Sequence, residues 1–268
     1  MKVALVTGVS SGIGSSTAAI LAGAGFRTFG TVRSEAARPA PNVELVRVDV
    51  RDDAAVRSGV QEVLDRTGRI DVLVNCAGAA LFGALEETSL DEARELFDTN
   101  FFGAVRMNQA VLPAMRRQGS GRLITIGSIL GFLPAPFMGM YAATKFALEG
   151  YSETLDHEIR NLGVRAVLVE PGYTRTGLSE KYRTAQASWP DYAADRATVV
   201  KRVNDNIANG VDPEVVARVV LRAATARTPR LRYTAGSEAA TLAMLRAFAP
   251  ASILDRGIRK AFGLGAAS

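Results

Sequence analysis

One cysteine (Cys76), one histidine (His157) and one tryptophan (Trp189) are all that the 268 residues hold of those three types. A single thiol excludes an internal disulfide and a multi-cysteine metal site, and a single imidazole argues against a histidine-rich metal centre or a His-based triad. Acid-base chemistry must then come from other groups, and no metal is expected. No run of about 20 apolar residues occurs, so no stable membrane insertion is expected. Met1 to Thr7 reads as a buried strand, with neither the basic start nor the longer apolar stretch of a secretory signal, and the expected location is the cytoplasm. Blocks of one charge are lacking too. Lys+Arg number 32 against 27 Asp+Glu, a net +5 spread along the chain. That balance suits an anionic ligand or simply a soluble surface, and nucleic acid is not an expected partner.

What the chain has is apolar material, 48% of its residues, enough for one large core. Short runs rich in β-branched residues (Val3 to Val6, Arg27 to Val32, Val43 to Val48, Val72 to Val74, Arg122 to Ile126, Arg165 to Val169) alternate with segments of helical spacing. Those segments are Ser15 to Ala24, Asp53 to Arg66, Leu90 to Arg117 and Tyr141 to Asn161. The alternation predicts an α/β fold, a doubly wound parallel sheet of six or seven strands with helices on both faces. No internal repeat or low-complexity linker divides the chain, so one domain is expected over 1–268. Gly177 to Gly210 shows no strand-like run. A helix over Pro213 to Ala226, a short strand over Arg230 to Tyr233 and an apolar helical tail follow, making 211–268 an extension of the same domain.

Between the first strand and the first helix stands Thr7-Gly8-Val9-Ser10-Ser11-Gly12-Ile13-Gly14. Glycines there permit a tight turn and close approach of a pyrophosphate to backbone, and a helix N-terminus offers N–H groups to the anion. A dinucleotide is expected across this turn, although the spacing differs from G-x-G-x-x-G. Tyr141 and Lys145 are four apart, so on a helix they share a face and the ammonium can approach the phenol. Lowering a tyrosine pKa by about 2 to 3 units requires roughly 3 to 4 kcal/mol of preference for phenolate, within reach of a neighbouring lysine plus an oxidised nicotinamide.

Taken together, these residues resemble the short-chain dehydrogenases/reductases. Thr7 to Gly14 match the T-G-x-x-x-G-x-G cofactor motif of that family, Asn75-Cys76-Ala77-Gly78 its N-x-A-G motif, and Tyr141 to Lys145 its Y-x-x-x-K motif. Pro171-Gly172 with Thr176 match the P-G-x-x-x-T segment that contacts the nicotinamide. Ser128 precedes Tyr141 by 13 residues and Asn100 precedes Ser128 by 28, as in that family. The resemblance covers Lys2 to about Thr176. It implies proton chemistry by Asn100, Ser128, Tyr141 and Lys145. It also implies cofactor contacts from Gly8, Ser10, Ser11, Gly12, Ile13, Gly14, Asn75, Ala77, Gly78, Tyr141, Lys145, Pro171, Gly172, Thr174 and Thr176. Members commonly pair through the two long helices, so a homodimer or homotetramer is expected.

Several positions carry two readings. Ser128 follows a strand at the carboxyl edge of the sheet, where its hydroxyl reaches a substrate oxygen or simply caps the loop from Ile129. Asn100 shares a helical face with Ala93, Phe97 and Ala104, so its amide needs a buried partner. The resemblance implies a water leading to Lys145, and a structural bond to a strand is the alternative. At the end of the second strand, Gly30-Thr31-Val32-Arg33, Val32 stands where an acid would hold the ribose of NAD. Arg33 after it favours the 2′-phosphate of NADP, or is a solvated strand-end charge. Asp49-Val50 resembles the adenine-contacting pair of the family, and Asp49 equally suits capping the turn before Asp52.

The expected activity is NADP(H)-dependent interconversion of a ketone or aldehyde and a secondary alcohol. The Gly-Thr-Val-Arg strand end and Ser-Ser in the glycine loop resemble the 17β-hydroxysteroid dehydrogenase branch. A reductase of carrier-bound acyl or polyketide chains, with Arg116 and Arg117 serving an acidic carrier, and a non-catalytic NADP-binding regulator are the alternatives. Gly177 to Gly210 is expected to cover the substrate as a lid, or to be scaffold. Leu178 and Tyr182, then Tyr192, Val199, Val203 and Ile207, predict two short amphipathic helices separated by Trp189-Pro190, with greasy faces suited to a lipophilic small-molecule substrate. Cys76 is expected to be a small core side chain, His157 to be exposed or at a subunit contact, and the tail over Ile253 to Leu264 to dock on the body with a wet basic face.

Overall fold

The computed structural model describes residues 1–33, 40–176 and 182–265. Strands β1 (Val3–Val6), β2 (Arg27–Val32), β3 (Val43–Arg47), β4 (Val72–Asn75), β6 (Gly121–Ile126), β7 (Val164–Pro171) and β9 (Arg232–Ala235) form one sheet in the order β3-β2-β1-β4-β6-β7-β9. All its pairings are parallel. Runs such as Val3-Ala4-Leu5-Val6 are buried at every residue, because helices cover both faces and neither side of the strand meets water.

On one face, α1 (Gly12–Gly23) and α7 (Pro213–Thr225) bury Ala18, Leu21, Val216, Val220 and Ala223 against the strands. On the other, α2 (Asp53–Thr67), α4 (Gly103–Gln118) and α5 (Gly139–Ile159) contribute Val60, Val63, Met107, Val111, Leu155 and Ile159. The chain winds outward from β1 in one direction and from β4 in the other. The crevice at the carboxyl ends of these two strands is where such sheets hold ligands. In-register pairs Val6↔Val74, Ile126↔Val169 and Pro171↔Ala235 bring the strand ends level along that edge.

Four local expectations need correction. The continuous helix over Leu90 to Arg117 is α3 (Leu90–Phe97) and α4, joined by a π-helical turn over Asp98–Phe102. One extra residue per turn is accommodated where the Asn100 side chain bonds to the backbone of Ala79. The segment after Thr176 does contain a strand, β8 (Arg183–Thr184), parallel to β5 (Leu81–Phe82). Of the two short helices expected there, Leu178 lies outside the described residues, and Tyr182 leads into β8 instead of a helix. A single long helix, α6 (Pro190–Ala208), begins at Pro190, whose fixed φ suits the first helical position. The last sheet strand lies two residues later than the expected Arg230 to Tyr233, because its register is set by β7.

The tail forms α8 (Ser237–Phe248) and α9 (Ala251–Phe262). Phe262 and Ile258 of α9 pack with Val199, Val203 and Ile207 of α6, while Arg256 and Lys260 stay exposed. No helix among the described residues is long and apolar enough to cross a membrane.

Candidate active site

The glycine turn is shaped by what touches it. Gly8 has φ +73°, and a Cβ there would lie 2.9 Å from Cα of Ala77, so this backbone is both left-handed and in contact with the segment after β4. Thr7 ties the same two segments: its Oγ1 accepts from the N–H of Cys76 at 2.9 Å and of Ala77 at 3.0 Å. Helix α1 starts at Gly12 with no side-chain cap and no acid in its first turn, leaving its positive end for an anion. Thr176 packs against Gly12 from the opposite wall. These features fit a dinucleotide, with its pyrophosphate against Ser10 to Gly14 and its nicotinamide end toward Pro171 to Thr176. Thr174 is buried and donates to the carbonyl of Gly172 at 3.1 Å.

Around the adenine end, Val32 is buried and Arg33 exposed. Asp49 accepts from Arg51, through its N–H at 3.0 Å and its guanidinium at 2.7 Å, and this holds its carboxyl below the usual range. The turn bond is thus present, but the cap of α2 is Asp52, which accepts from Ala54 and Ala55. Val50 lies against Gly103 at the start of α4.

Ser128, Tyr141 and Lys145 come together at the carboxyl end of β6. The Ser128 hydroxyl accepts from the N–H of Leu130 at 3.1 Å, the bond of the capping reading, and lies near enough to the Tyr141 phenol to favour its ionised form. Burial pushes Tyr141 up to about 12, and its proton is firmly held in the chain by itself. The lowering expected from the sequence calls for oxidised nicotinamide beside Lys145, which stands 5.6 Å from the Tyr141 ring centroid. Its ammonium donates to the carbonyl of Ile126 at 2.8 Å, and burial brings its pKa down to about 8.

Asn100 takes the structural bond. Its Oδ1 accepts from Ala79 N at 2.8 Å, and its Nδ2 donates to Ala79 O at 2.9 Å and to Thr144 Oγ1 at 3.1 Å. Gly78 lies beside it. Beside Lys145 is a partly open space of about 10 Å³, room for about one water, lined by that lysine with Thr7, Asn75, Asn100 and Thr125. Asn75 donates to Asn108 at 2.8 Å, while its Oδ1 has no protein partner among the described residues.

Over the phenol, Tyr141, Tyr173 and Tyr182 join a greasy cluster with Phe82, Met138, Val199, Val203 and Phe262. Tyr182 meets Phe82 edge-on, ring centroids 4.8 Å apart. Trp189 is half exposed and belongs to no core cluster, so it is not part of this wall. The start of α6 is pinned instead by Glu87, a buried acid that sequence reasoning missed. It accepts from Ala84 N at 2.9 Å, from Trp189 N at 2.7 Å and from Arg196, and these donors hold it well below the usual carboxylate range. Thr144, Thr7 and Tyr173 were missed as well. Thr7 and Thr144 lie inside the quoted motifs, and a hydroxyl in an otherwise buried run was the available signal. His157 is exposed, and burial raises the Cys76 thiol to about 12, an inert side chain.

A sheet of this topology with a glycine turn and a Ser-Tyr-Lys group at its carboxyl edge is the frame of an oxidoreductase acting on CH-OH groups. The short chain dehydrogenase family model matches residues 2–187, and the chain belongs to that family. It is 36% identical over 240 residues to a 3-ketodihydrosphingosine reductase of Bacteroides thetaiotaomicron, covering 88% of each chain. It is 38% identical to the human 17-beta-hydroxysteroid dehydrogenase type 1, covering 86% of this chain and 76% of that one. A short-chain dehydrogenase from Streptomyces avermitilis, at 34% identity, superposes with a TM-score of 0.80 over 96% of this chain and 99% of that one.

Proposed function

We propose that the protein is an NADP(H)-dependent reductase of lipophilic ketones or aldehydes, running in reverse on the secondary alcohols. The observation that carries it is the apolar cluster of Tyr182, Phe82, Val199 and Val203 packed with the partly buried, protonated Tyr141. In reduction, the nicotinamide supplies hydride to the carbonyl carbon. Tyr141 donates its proton to the carbonyl oxygen, Ser128 holds that oxygen, and Lys145 restrains the nicotinamide ribose and supports the phenolate left behind. Asn100 fixes the 75–79 segment behind the lysine. Residues 182–210, the described part of the expected 177–210 lid, supply this wall, and a wall so poor in charge favours long apolar chains or fused rings over sugars. Relatives named for a ketosphingoid and a steroid are consistent with such a substrate.

The strand end supports NADP as the cofactor. Val32 places no carboxylate near the ribose and Arg33 puts a solvated guanidinium there, able to meet a 2′-phosphate. Exposed Phe102 on the π-helical turn leading into α4 and Phe146 on α5 support pairing of two copies through this helical face. Nothing favours an acyl carrier. Arg116 and Arg117 sit in the last turn of α4, which feeds the amino end of β6, about 20 Å from Ser128 at its carboxyl end.

The test is NADPH consumption by purified protein across steroid, long-chain, aryl, quinone and acyl-thioester carbonyls. Turnover concentrated on the steroid and long-chain ketones supports the reading. Turnover confined to carrier-bound thioesters, or none despite tight NADPH binding, overturns it.

A further inference from the structure

Two buried acids lie close to the site without any part in hydride chemistry. Tyr141, Lys145, Glu149 and Glu153 recur every four residues along α5 and so form one line on its surface. The Glu149 side chain is 11% exposed, and that of Glu170, near the end of β7, is 3% exposed. Arg232 on β9 faces both. Its Nε is 3.0 Å from Glu149 Oε2 and 3.5 Å from Glu170 Oε1, while its Nη2 is 2.9 Å from Glu153 Oε2. Glu149 Oε1 and Glu170 Oε1 receive no donor from other groups among the described residues. Two carboxylates against one guanidinium in the interior cannot both stay ionised; one proton between them turns mutual repulsion into an O–H···O⁻ bond.

The position of this pair is as informative as its chemistry. A Cβ on Gly127 or on Gly131, the residues that bracket Ser128, would stand 3.2 or 3.0 Å from Glu149 Oε1. The N–H of Gly127 donates to the carbonyl of Val169 at 2.8 Å, and the next residue on that strand is Glu170, followed directly by Pro171-Gly172. The carboxyl pair therefore underlies three pieces of the site at once: the Ser128 loop, the Pro171 turn and the helix that carries Tyr141 and Lys145.

We propose that Glu149 and Glu170 are positioning residues that share one proton and keep one negative charge, clamped by Arg232, behind Lys145, where it sustains the ammonium form of that lysine. This rests on the assignment of Tyr141 and Lys145 as the proton-handling pair. Glu149 carries the charge, being the acid nearer the guanidinium, and Glu170 carries the proton, its pKa pushed up to about 8 by burial and by Glu149. Lys145 is drawn toward the neutral form by burial, and the charged group that opposes this is Glu149 on its own helix; the Cys76 thiol after β4, raised to about 12, stays neutral. Glu153 and Arg232 are the other charged groups facing the pair, and His157 stands near Glu153 on the exposed side.

The experiment reads Lys145 directly. With lysine labelled at the ε-carbon, the resonances belong to Lys2, Lys145, Lys181, Lys201 and Lys260, and the Lys145 signal is assigned by its loss in Lys145→Met. In Glu149→Gln/Glu170→Gln the Lys145 midpoint should fall by about half a unit or more, as expected for removal of a nearby opposite charge. Glu149→Gln alone, where Glu170 inherits the charge farther from Lys145, should shift it less in the same direction. Glu170→Gln, which still donates to a charged Glu149 but removes the second charge that Glu170 acquires near pH 8, should lower it less than the double variant does. A Lys145 midpoint unchanged in both Glu149 variants overturns the proposal; if the double variant does not fold, Glu149→Gln decides. The alkaline limb of ketone reduction should move with the lysine. A shifted midpoint with an unmoved limb would uphold the carboxyl pair and remove Lys145 from its catalytic role, so the two readings fail separately.

Discussion

The ammonium of Lys145 points at the carbonyl of Ile126, 2.8 Å away, and stands 5.6 Å from the ring centroid of Tyr141 one helical turn earlier. The lysine is thus anchored at the end of β6 independently of the phenol. The phenol holds its proton firmly in the chain by itself.

A pH dependence follows from that arrangement. Burial lowers Lys145 to about 8 and raises Tyr141 to about 12, so below about pH 8 the lysine is charged and the tyrosine protonated. Ketone reduction, measured as kcat/KM, should be level through the neutral range and decline as pH rises through about 8, when Lys145 loses its proton. A rate that climbs steadily from pH 7 to 9 is the opposite of this expectation.

Cofactor choice is tested at the end of β2. Val32→Asp with Arg33→Ala should weaken NADPH by roughly 10 to 150-fold, the loss of a charge-assisted bond worth about 1.5 to 3 kcal/mol plus repulsion, and should improve NADH in relative terms. Fluorescence titration checks it. A parent protein that already prefers NADH contradicts the assignment before any variant is made.

The lid is tested by comparing substrates. Tyr182→Ala and Val203→Ala remove apolar wall beside Tyr141 and should raise KM for bulky ketones, by about 4-fold per lost methylene contact. Small ketones and NADPH affinity should change little. Trp189→Ala should have a weaker effect, since that ring is half exposed. Equal effects on small and bulky ketones would make the segment scaffold.

Acid should release α6. Glu87 has its pKa lowered in the fold, so its stabilising contribution is present above about pH 4.5 and is lost as pH falls through about 2. Glu87→Gln should lower Tm at pH 7 and shrink the difference in Tm between pH 7 and pH 3. Hydrogen exchange should be faster in the first turns of α6. An unaltered pH dependence of Tm would show that Glu87 is not the latch.

The legible part of the molecule is the part whose neighbours are close in sequence or whose burial is complete. Val3–Val6 and Val72–Asn75 read as central strands because both faces are apolar, and Gly8 to Gly14 announces its turn by composition. The π-helical turn at Asn100 is hidden, since its cause is the Ala79 backbone some twenty residues away and Asp98 to Phe102 has ordinary helical spacing. Strand β8 is exposed at both residues and exists only through its pairing with Leu81–Phe82, so no hydrophobic period marks it. The Glu149 and Glu170 pair is half visible: Glu149 continues the line of Tyr141 and Lys145, but only the packing of α5 on β7 and β9 brings Glu170 and Arg232 to it.

Single-turnover hydride transfer from bound NADPH to the best lipophilic ketone, in the parent and in Tyr141→Phe, tests the central claim most directly. The expected result is a rate lower by about 10² to 10⁴-fold in the variant, the usual contribution of a positioned proton donor, with NADPH affinity and Tm nearly unchanged. A variant rate within about three-fold of the parent would contradict the claim and remove Tyr141 from the proton transfer.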